Sequence, residues 1–307
     1  MSILENGFRI FTSDAYPIKL PAEHRFPFAK YALIREQLLY EGLLEPHHFA
    51  TPAFISDELI HLAHAPAYWS AVKQLKLERK AFRKIGFPPS QSLVERTWCS
   101  ASATFRATEQ ALRIGLGMST SGGTHHAYRS HGEGYCVLND VAIAAQWLLD
   151  TGRAARILVI DLDVHQGNGT ARIFRHEPRV FTFSVHCRAN YPLHKEQSDL
   201  DIALPPGTTD ARYLQLLEQH LPTLLYRQKP AVVFYIAGAD VLASDKLGKL
   251  ALSRDGCRQR DLRVLQMVRQ QEIPLVVTMG GGYARQLADI VTTHANTFKT
   301  ALDVYDA

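Results

Sequence analysis

Asp163 and His165 stand two residues apart in the run Asp161-Leu162-Asp163-Val164-His165-Gln166-Gly167-Asn168-Gly169. In an extended or turning segment, residues i and i+2 face the same side. With Asp240, from the separate run Gly238-Ala239-Asp240, they make two carboxylates and one imidazole. That set, with an open fourth position, suits a catalytic divalent metal such as zinc. The two carboxylate charges balance those of the ion. Hard oxygen and nitrogen ligands also admit Fe(II), Co(II) or Mn(II). The competing explanation makes Asp161 and Asp163 helix caps or turn residues, and it loses ground once Asp240 ends another strand. A second cluster is His125-His126, inside the glycine-rich stretch Ser121-Gly122-Gly123-Thr124. Asp161 and Asn168 flank the candidate ligands and could accept hydrogen bonds from the two imidazoles, fixing each tautomer. Tyr283 follows Gly280-Gly281-Gly282. This run lacks both the GxGxxG and the GxxxxGK[ST] spacing, so nucleotide binding is set aside.

These residues need strand ends to bring them together. Four short apolar runs, Ile157–Ile160, Val180–Val185, Val232–Ile236 and Leu275–Met279, fit strands buried on both faces. Helical spacing marks Asp140–Asp150, Asp210–Gln228 and Ser253–Gln271, the last with Ser253 as N-cap. The alternation predicts an α/β fold with a mostly parallel sheet. Phe28–Glu41 and Asp57–Leu77 read as helices packed against it. Ligands of open α/β sheets bind outside the carboxyl ends of the strands. The polar residues named above all follow apolar runs or lie in loops between elements, so they gather at one sheet edge.

Composition narrows the class. The chain has 307 residues, 46% hydrophobic and 21% charged, which excludes a disordered tail, a collagen-like fibre or a coiled coil. A net charge of +4 argues for neither nucleic acid nor membrane. The four Cys contain no CxxC pair and are no disulfide scaffold. No targeting segment and no apolar run long enough to span a bilayer is visible, so a soluble, cytoplasmic protein is expected. Without repeats or a credible linker, residues 1–307 read as one catalytic domain. Oligomeric state is not legible. The one oddity is 14 His, which matter only where they meet carboxylates.

At this point the chain resembles the histone deacetylase superfamily of zinc-dependent deacetylases, acetylpolyamine amidohydrolases and acetoin-utilisation proteins. The matching pieces are Gly122-Gly123-Thr124-His125-His126-Ala127, Gly134-Tyr135-Cys136-Val137-Leu138-Asn139-Asp140, the run from Asp161 to Gly169, Gly238-Ala239-Asp240 and Gly280-Gly281-Gly282-Tyr283. They stand in the family's order, from about His24 to near the end, and His64-Ala65-Pro66-Ala67-Tyr68 fits an early segment more loosely. The resemblance implies an arginase/deacetylase-like fold with a central sheet of about eight strands. It implies a metal, zinc with Fe2+ or Co2+ as alternatives, on Asp163, His165 and Asp240. It makes His126 the base and His125 mainly an electrostatic partner, and Tyr283 the phenol on the substrate carbonyl. Tyr135, with Gly134, walls an acyl-lysine tunnel, and Tyr191 is the candidate for the facing wall. A structural potassium site would use Asp161, Ser184 and carbonyls around Asp163, His165 and Val185. Many members carry Asp where this chain has Asn168, and Asn168 with Gln166 resembles class IV and its bacterial relatives. A neutral amide stabilises imidazolium less than a carboxylate does. Activity is therefore expected to extend to lower pH than in Asp-bearing relatives.

The expected function is hydrolysis of acyl groups from lysine side chains of a protein or peptide. A small-molecule amidohydrolase acting on acetylated polyamines is the alternative, and would favour an acidic gatekeeper: Glu133, Glu196 or Asp199. An inactive acyl-lysine-binding protein is a third reading. Arginase-type ureohydrolysis needs a two-metal ligand set that is not found. Among the other residues, His186 is weighed evenly as a pocket residue and Cys136 is expected to be a small buried neighbour of the site; the resemblance to some relatives implies Arg25 as a basic group facing a cavity behind the metal.

Overall fold

The computed structural model describes residues 3–21 and 23–306. Eight parallel strands form one sheet: β1 (Ile10–Phe11), β2 (Phe49–Ala50), β3 (Leu116–Ser119), β4 (Ile157–Asp161), β5 (Val180–Cys187), β6 (Leu200–Leu204), β7 (Val232–Ile236) and β8 (Leu275–Thr278). Their order is β2-β1-β3-β8-β7-β4-β5-β6. Every residue of β4, β7 and β8 is buried, as strands covered on both faces must be. Their side chains divide by alternation into two cores. Leu158, Ile160, Val233, Tyr235, Leu275 and Val277 join one. Ile157, Val159, Val232, Phe234, Ile236 and Val276 join the other.

Helices cover both faces. The first five are α1 (Lys30–Tyr40), α2 (Asp57–Ala63), α3 (Pro66–Lys73), α4 (Arg79–Ile85) and α5 (Gln91–Ile114). The others are α6 (Asp140–Asp150), α7 (Asn168–Phe174), α8 (Asp210–Gln228), α9 (Arg254–Gln270) and α10 (Leu287–Asp306). Helices α1, α8, α9 and α10 pack together, as do α5 and α6. The single helix expected over Asp57–Leu77 is two. Pro66 starts α3, and a residue before proline is driven out of helical dihedrals, so Ala65 is extended at ψ 131°. Elsewhere the boundaries hold closely: α6 and α8 coincide with the expected spans, and Ser253 caps α9 by accepting from Gly256 N. No helix among the described residues is long and apolar enough to cross a membrane.

What this arrangement positions is one crevice. β3, β8, β7 and β4 are neighbours, and all point their carboxyl ends the same way. β4 leads to Asp163 and His165, β7 to Asp240, β8 to Gly280–Tyr283, and β3 to the loop carrying His125 and His126. The strand order reverses between β7 and β4, and such switch points are where open α/β sheets bind ligands.

Candidate active site

Asp163, His165 and Asp240 converge, with ligand atoms all within 4.8 Å of one another and all three residues buried. Backbone amides hold each carboxylate. Asp163 Oδ2 accepts from Gly281 N at 2.7 Å, and Asp240 Oδ1 accepts from Val164 N at 2.9 Å. The remaining Asp240 oxygen, Oδ2, is buried without a hydrogen-bond partner. His165 Nδ1 lies 2.9 Å from Asp163 Oδ1 and 3.2 Å from Asp240 Oδ2. Burial, and then the charge of Asp163, raise the pKa of Asp240. Two buried carboxylates, one with an oxygen free of hydrogen bonds, and an imidazole fit a divalent cation, which would neutralise what burial otherwise penalises. Gly281 permits the close approach: a Cβ there would lie 2.0 Å from Asp240 Oδ2 and 2.8 Å from Asp163 Oδ2.

The two imidazoles stand beside this cluster, ring centroids 4.1 Å apart, in different electrostatic settings. His125 Nδ1 bonds Asp161 Oδ2 at 2.7 Å. Burial works against its cation, but Asp161 and Asp163 outweigh it and raise its pKa to about 9. His126 Nδ1 bonds only a neutral amide, Asn168 Oδ1, at 2.6 Å. Burial, then the charges of His125 and His165, push its pKa well below the usual histidine value. The two settings thus push the neighbouring rings in opposite directions, His125 toward its cation and His126 toward its free base. Paired groups driven apart in this way mark acid–base assignments.

Both rings line a cavity of about 630 Å³, together with Asp163, His165 and Tyr283. Tyr283 is buried, and its backbone N–H is anchored on Asp245 Oδ2 at 2.6 Å. Burial, then the charges of Asp240 and Asp163, keep its phenol protonated and able to donate. Gly134, Tyr135 and Tyr191 line the same cavity. Tyr135 holds φ +65°, a left-handed value unusual for a bulky residue. Bonds from Gly134 N to Lys84 O (3.1 Å) and from Tyr135 N to Ile85 O (2.7 Å) pin this turn to the end of α4. The Tyr191 ring stands at 89° to His126, centroids 5.0 Å apart.

Other expected residues fall in different places. Strand register sets Asp161 opposite Ser184, with Val185 next. Ser184 Oγ, however, lies 3.0 Å from His186 Nδ1. His186 is buried against Ser184 and Asp201 rather than in the cavity lining. Arg25 is exposed, with its charge acting on Tyr135. Two other cations are buried near the site: Lys30, whose Nζ lies 5.3 to 5.5 Å from the rings of Phe26, Tyr31 and Tyr283, and Arg260, which donates to Gly238 O at 2.6 Å. Of the gatekeeper candidates, Glu133 is ion-paired with Lys84, Glu196 lies 3.4 Å from the Tyr128 hydroxyl, and Asp199 accepts from Thr182. Sequence reasoning missed Phe26, which packs edge-on against Tyr135 and Tyr283, and Asn190, whose Nδ2 lies 3.5 Å from His165 Nε2. Only its place beside Tyr191 could have flagged Asn190.

A histone deacetylase domain model matches residues 24–298. The chain belongs to the histone deacetylase family. A protein of Picosynechococcus, itself uncharacterised, is 43% identical over 97% of this chain and all of its own length. Histone deacetylase 2 of Arabidopsis thaliana is 27% identical over 92% of this chain and 76% of its own. The acetoin utilization protein AcuC of Staphylococcus aureus is 25% identical over 89% and 76%. The crystal structure of a histone deacetylase homologue complexed with SAHA superposes with a TM-score of 0.82. It covers 96% of this chain and 84% of that one, at 22% identity. That likeness shows the arginase/deacetylase-like fold, and family membership supports a deacetylase function.

Proposed function

We propose that this histone deacetylase family protein removes acyl groups from lysine side chains as a metal-dependent hydrolase. The observation that carries the reading is the split pair His125/His126 opening on the same cavity as the Asp163–His165–Asp240 cluster. A zinc ion on those three residues, or Fe(II) or Co(II) in its place, would polarise the amide carbonyl and acidify water. His126, kept neutral, takes the proton from the attacking water at Nε2 and later delivers it to the leaving amine. His125, charged and fixed by Asp161, stabilises negative charge beside it. Tyr283 donates its phenol hydrogen to the oxyanion of the tetrahedral intermediate. Tyr135, Tyr191 and Gly134 confine the acyl-lysine stem. The products are a carboxylate and a free amine. Asp161, Ser184 and the carbonyls around Asp163, His165 and Val185 would hold a structural potassium ion. The four free, buried cysteines suit the reducing cytoplasm.

Lysine is favoured over a polyamine by the charges around the cavity. Arg83, Lys84 and Lys249 line it, and among the described residues the only carboxylate in the lining is the candidate ligand Asp163. Glu133 neutralises Lys84, which leaves Arg83 and Lys249 to repel the distal ammonium of a polyamine. Steady-state kinetics on an acetyl-lysine peptide beside acetylspermidine test this. The peptide is expected to have the higher kcat/KM, and a clear preference for acetylspermidine would overturn the lysine assignment.

A further inference from the structure

Asn168 poses a problem that an aspartate would not. An amide presents either its oxygen or its NH2, whereas a carboxylate presents oxygen only. If Asn168 turned its NH2 toward His126 Nδ1, that nitrogen would have to accept. The ring proton would then sit on Nε2, and His126 would have no lone pair there for water. Some other group must fix the amide.

We infer that Glu133 is a positioning residue for His126, acting through the orientation of Asn168. Asn168 Nδ2 donates to Glu133 Oε1 at 2.7 Å and contacts the Tyr128 hydroxyl at 3.0 Å. A carboxylate accepts only, so it must face the NH2, and the Asn168 oxygen must face His126 Nδ1, 2.6 Å away. Both Glu133 and Asn168 are buried, so water cannot substitute for either partner. Glu133 is itself over-determined. Tyr191 donates to its Oε1 at 2.6 Å, Lys84 Nζ bonds Oε2, and His131 Nε2 lies 3.7 Å from Oε2. The contacts of His131, Lys84, Tyr191 and Asn168 together outweigh burial and hold its pKa far below the usual carboxylate value. Its backbone is tied down as well, since Cys136 N bonds Glu133 O at 2.9 Å. The negative charge that a family Asp would place against His126 is thus displaced by one side chain. It retains control of the tautomer while stabilising the imidazolium less.

The inference rests on the hydrolase reading, but it has a test that does not depend on turnover. In the zinc-loaded protein with ¹⁵N-labelled histidine, His126 is expected as the Nδ1–H tautomer at neutral pH, its signals assigned by loss in His126→Gln. An Nε2–H tautomer would overturn the inference even if the substrate assignment stands. Kinetics give the second arm. Glu133→Gln is expected to lower kcat about 10- to 100-fold, within the range of acid–base contributions. Asn168→Asp alone sets two carboxylates face to face and also loses activity. The exchange Glu133→Gln with Asn168→Asp restores the acid–amide pair and is expected to recover kcat to within about threefold of wild type. A merely structural role for Glu133 would make the double variant no better than Glu133→Gln, and that result would overturn the proposal. So would full activity of Glu133→Gln. If Glu133→Gln does not fold, the exchange variant and the wild-type tautomer decide.

Discussion

Gly134→Ala separates the placement of His126 from the stability of the fold. Gly134 has φ +56°, and a Cβ built there would lie 2.6 Å from His126 Cδ2 and 3.3 Å from Tyr191 Cε1. The left-handed backbone alone costs an alanine about 1–2 kcal/mol. In a chain of this size that lowers Tm by a few degrees. The contact adds something different. An ordinary carbon–carbon approach is about 3.5–4 Å, so the ring must retreat by roughly 1 Å. A displacement of that size at a reacting group costs about 100-fold in rate. The retreat also strains the 2.6 Å bond to Asn168. Gly152→Ala is the matched control, because Gly152 has φ +68° with nothing within 4 Å of its Cβ. The assay is kcat on an acetyl-lysine peptide, with Tm from thermal unfolding. Both variants are expected to lose a few degrees, and only Gly134→Ala about 100-fold in kcat. If Gly134→Ala keeps kcat within about threefold of wild type, His126 does not need its observed position and the general-base argument fails.

Tyr283→Phe removes the phenol donor and is expected to cost about 10²–10³ in kcat with little change in KM. A KM effect alone would reassign Tyr283 to substrate binding. The acid limb of kcat/KM reports His126, which acts as a base only when neutral. Burial, His125 and His165 lower its pKa, so activity extends below the usual histidine range. Asn168→Asp, made together with Glu133→Gln so that no two carboxylates meet, stabilises the imidazolium and is expected to move that limb to higher pH; an unmoved limb contradicts the assignment. With Arg83 and Lys249 in the cavity lining, acetyl-lysine peptides with flanking Asp or Glu are expected to be better substrates than those with flanking Lys, an advantage that added salt should weaken. Arg83→Glu with Lys249→Glu is expected to reverse the order, and an unchanged order would remove the rim from the specificity argument.

How much of this was legible follows from the kind of signal each part leaves. β4, β5, β7 and β8 stand out as runs of Val, Ile, Leu and Phe because both their faces are covered. The metal-ligand candidates and His125-His126 follow from what lies beyond such runs. The edge strand β6 hides because it is only half-buried, and β1 and β2 are two residues each. Helix α5 has 24 residues, yet its buried face is built largely of Ala, Ser, Thr and Cys. Small side chains let it lie close to the sheet without leaving a stripe of large apolar residues. The buried face of α10 likewise includes Thr293, His294, Thr297 and Thr300. Glu133 was visible only as an acidic residue beside Gly134. Its bond to Asn168, 35 positions away, depends on how the Gly134 turn meets the start of α7. Arg25 drew attention as a cation near the start, but Lys30 is the one the fold buries beside Tyr283.

The most direct measurement couples metal content to turnover in one preparation. Protein loaded with Zn(II), and in parallel with Co(II), is assayed by mass spectrometry for release of acetate and free lysine from an acetyl-lysine peptide, beside Asp163→Ala. One catalytic divalent ion per chain is expected, with hydrolysis in the wild type and loss of both ion and turnover in the variant. Asp163→Ala protein that still hydrolyses the peptide at the wild-type rate would contradict the metal centre on Asp163, His165 and Asp240.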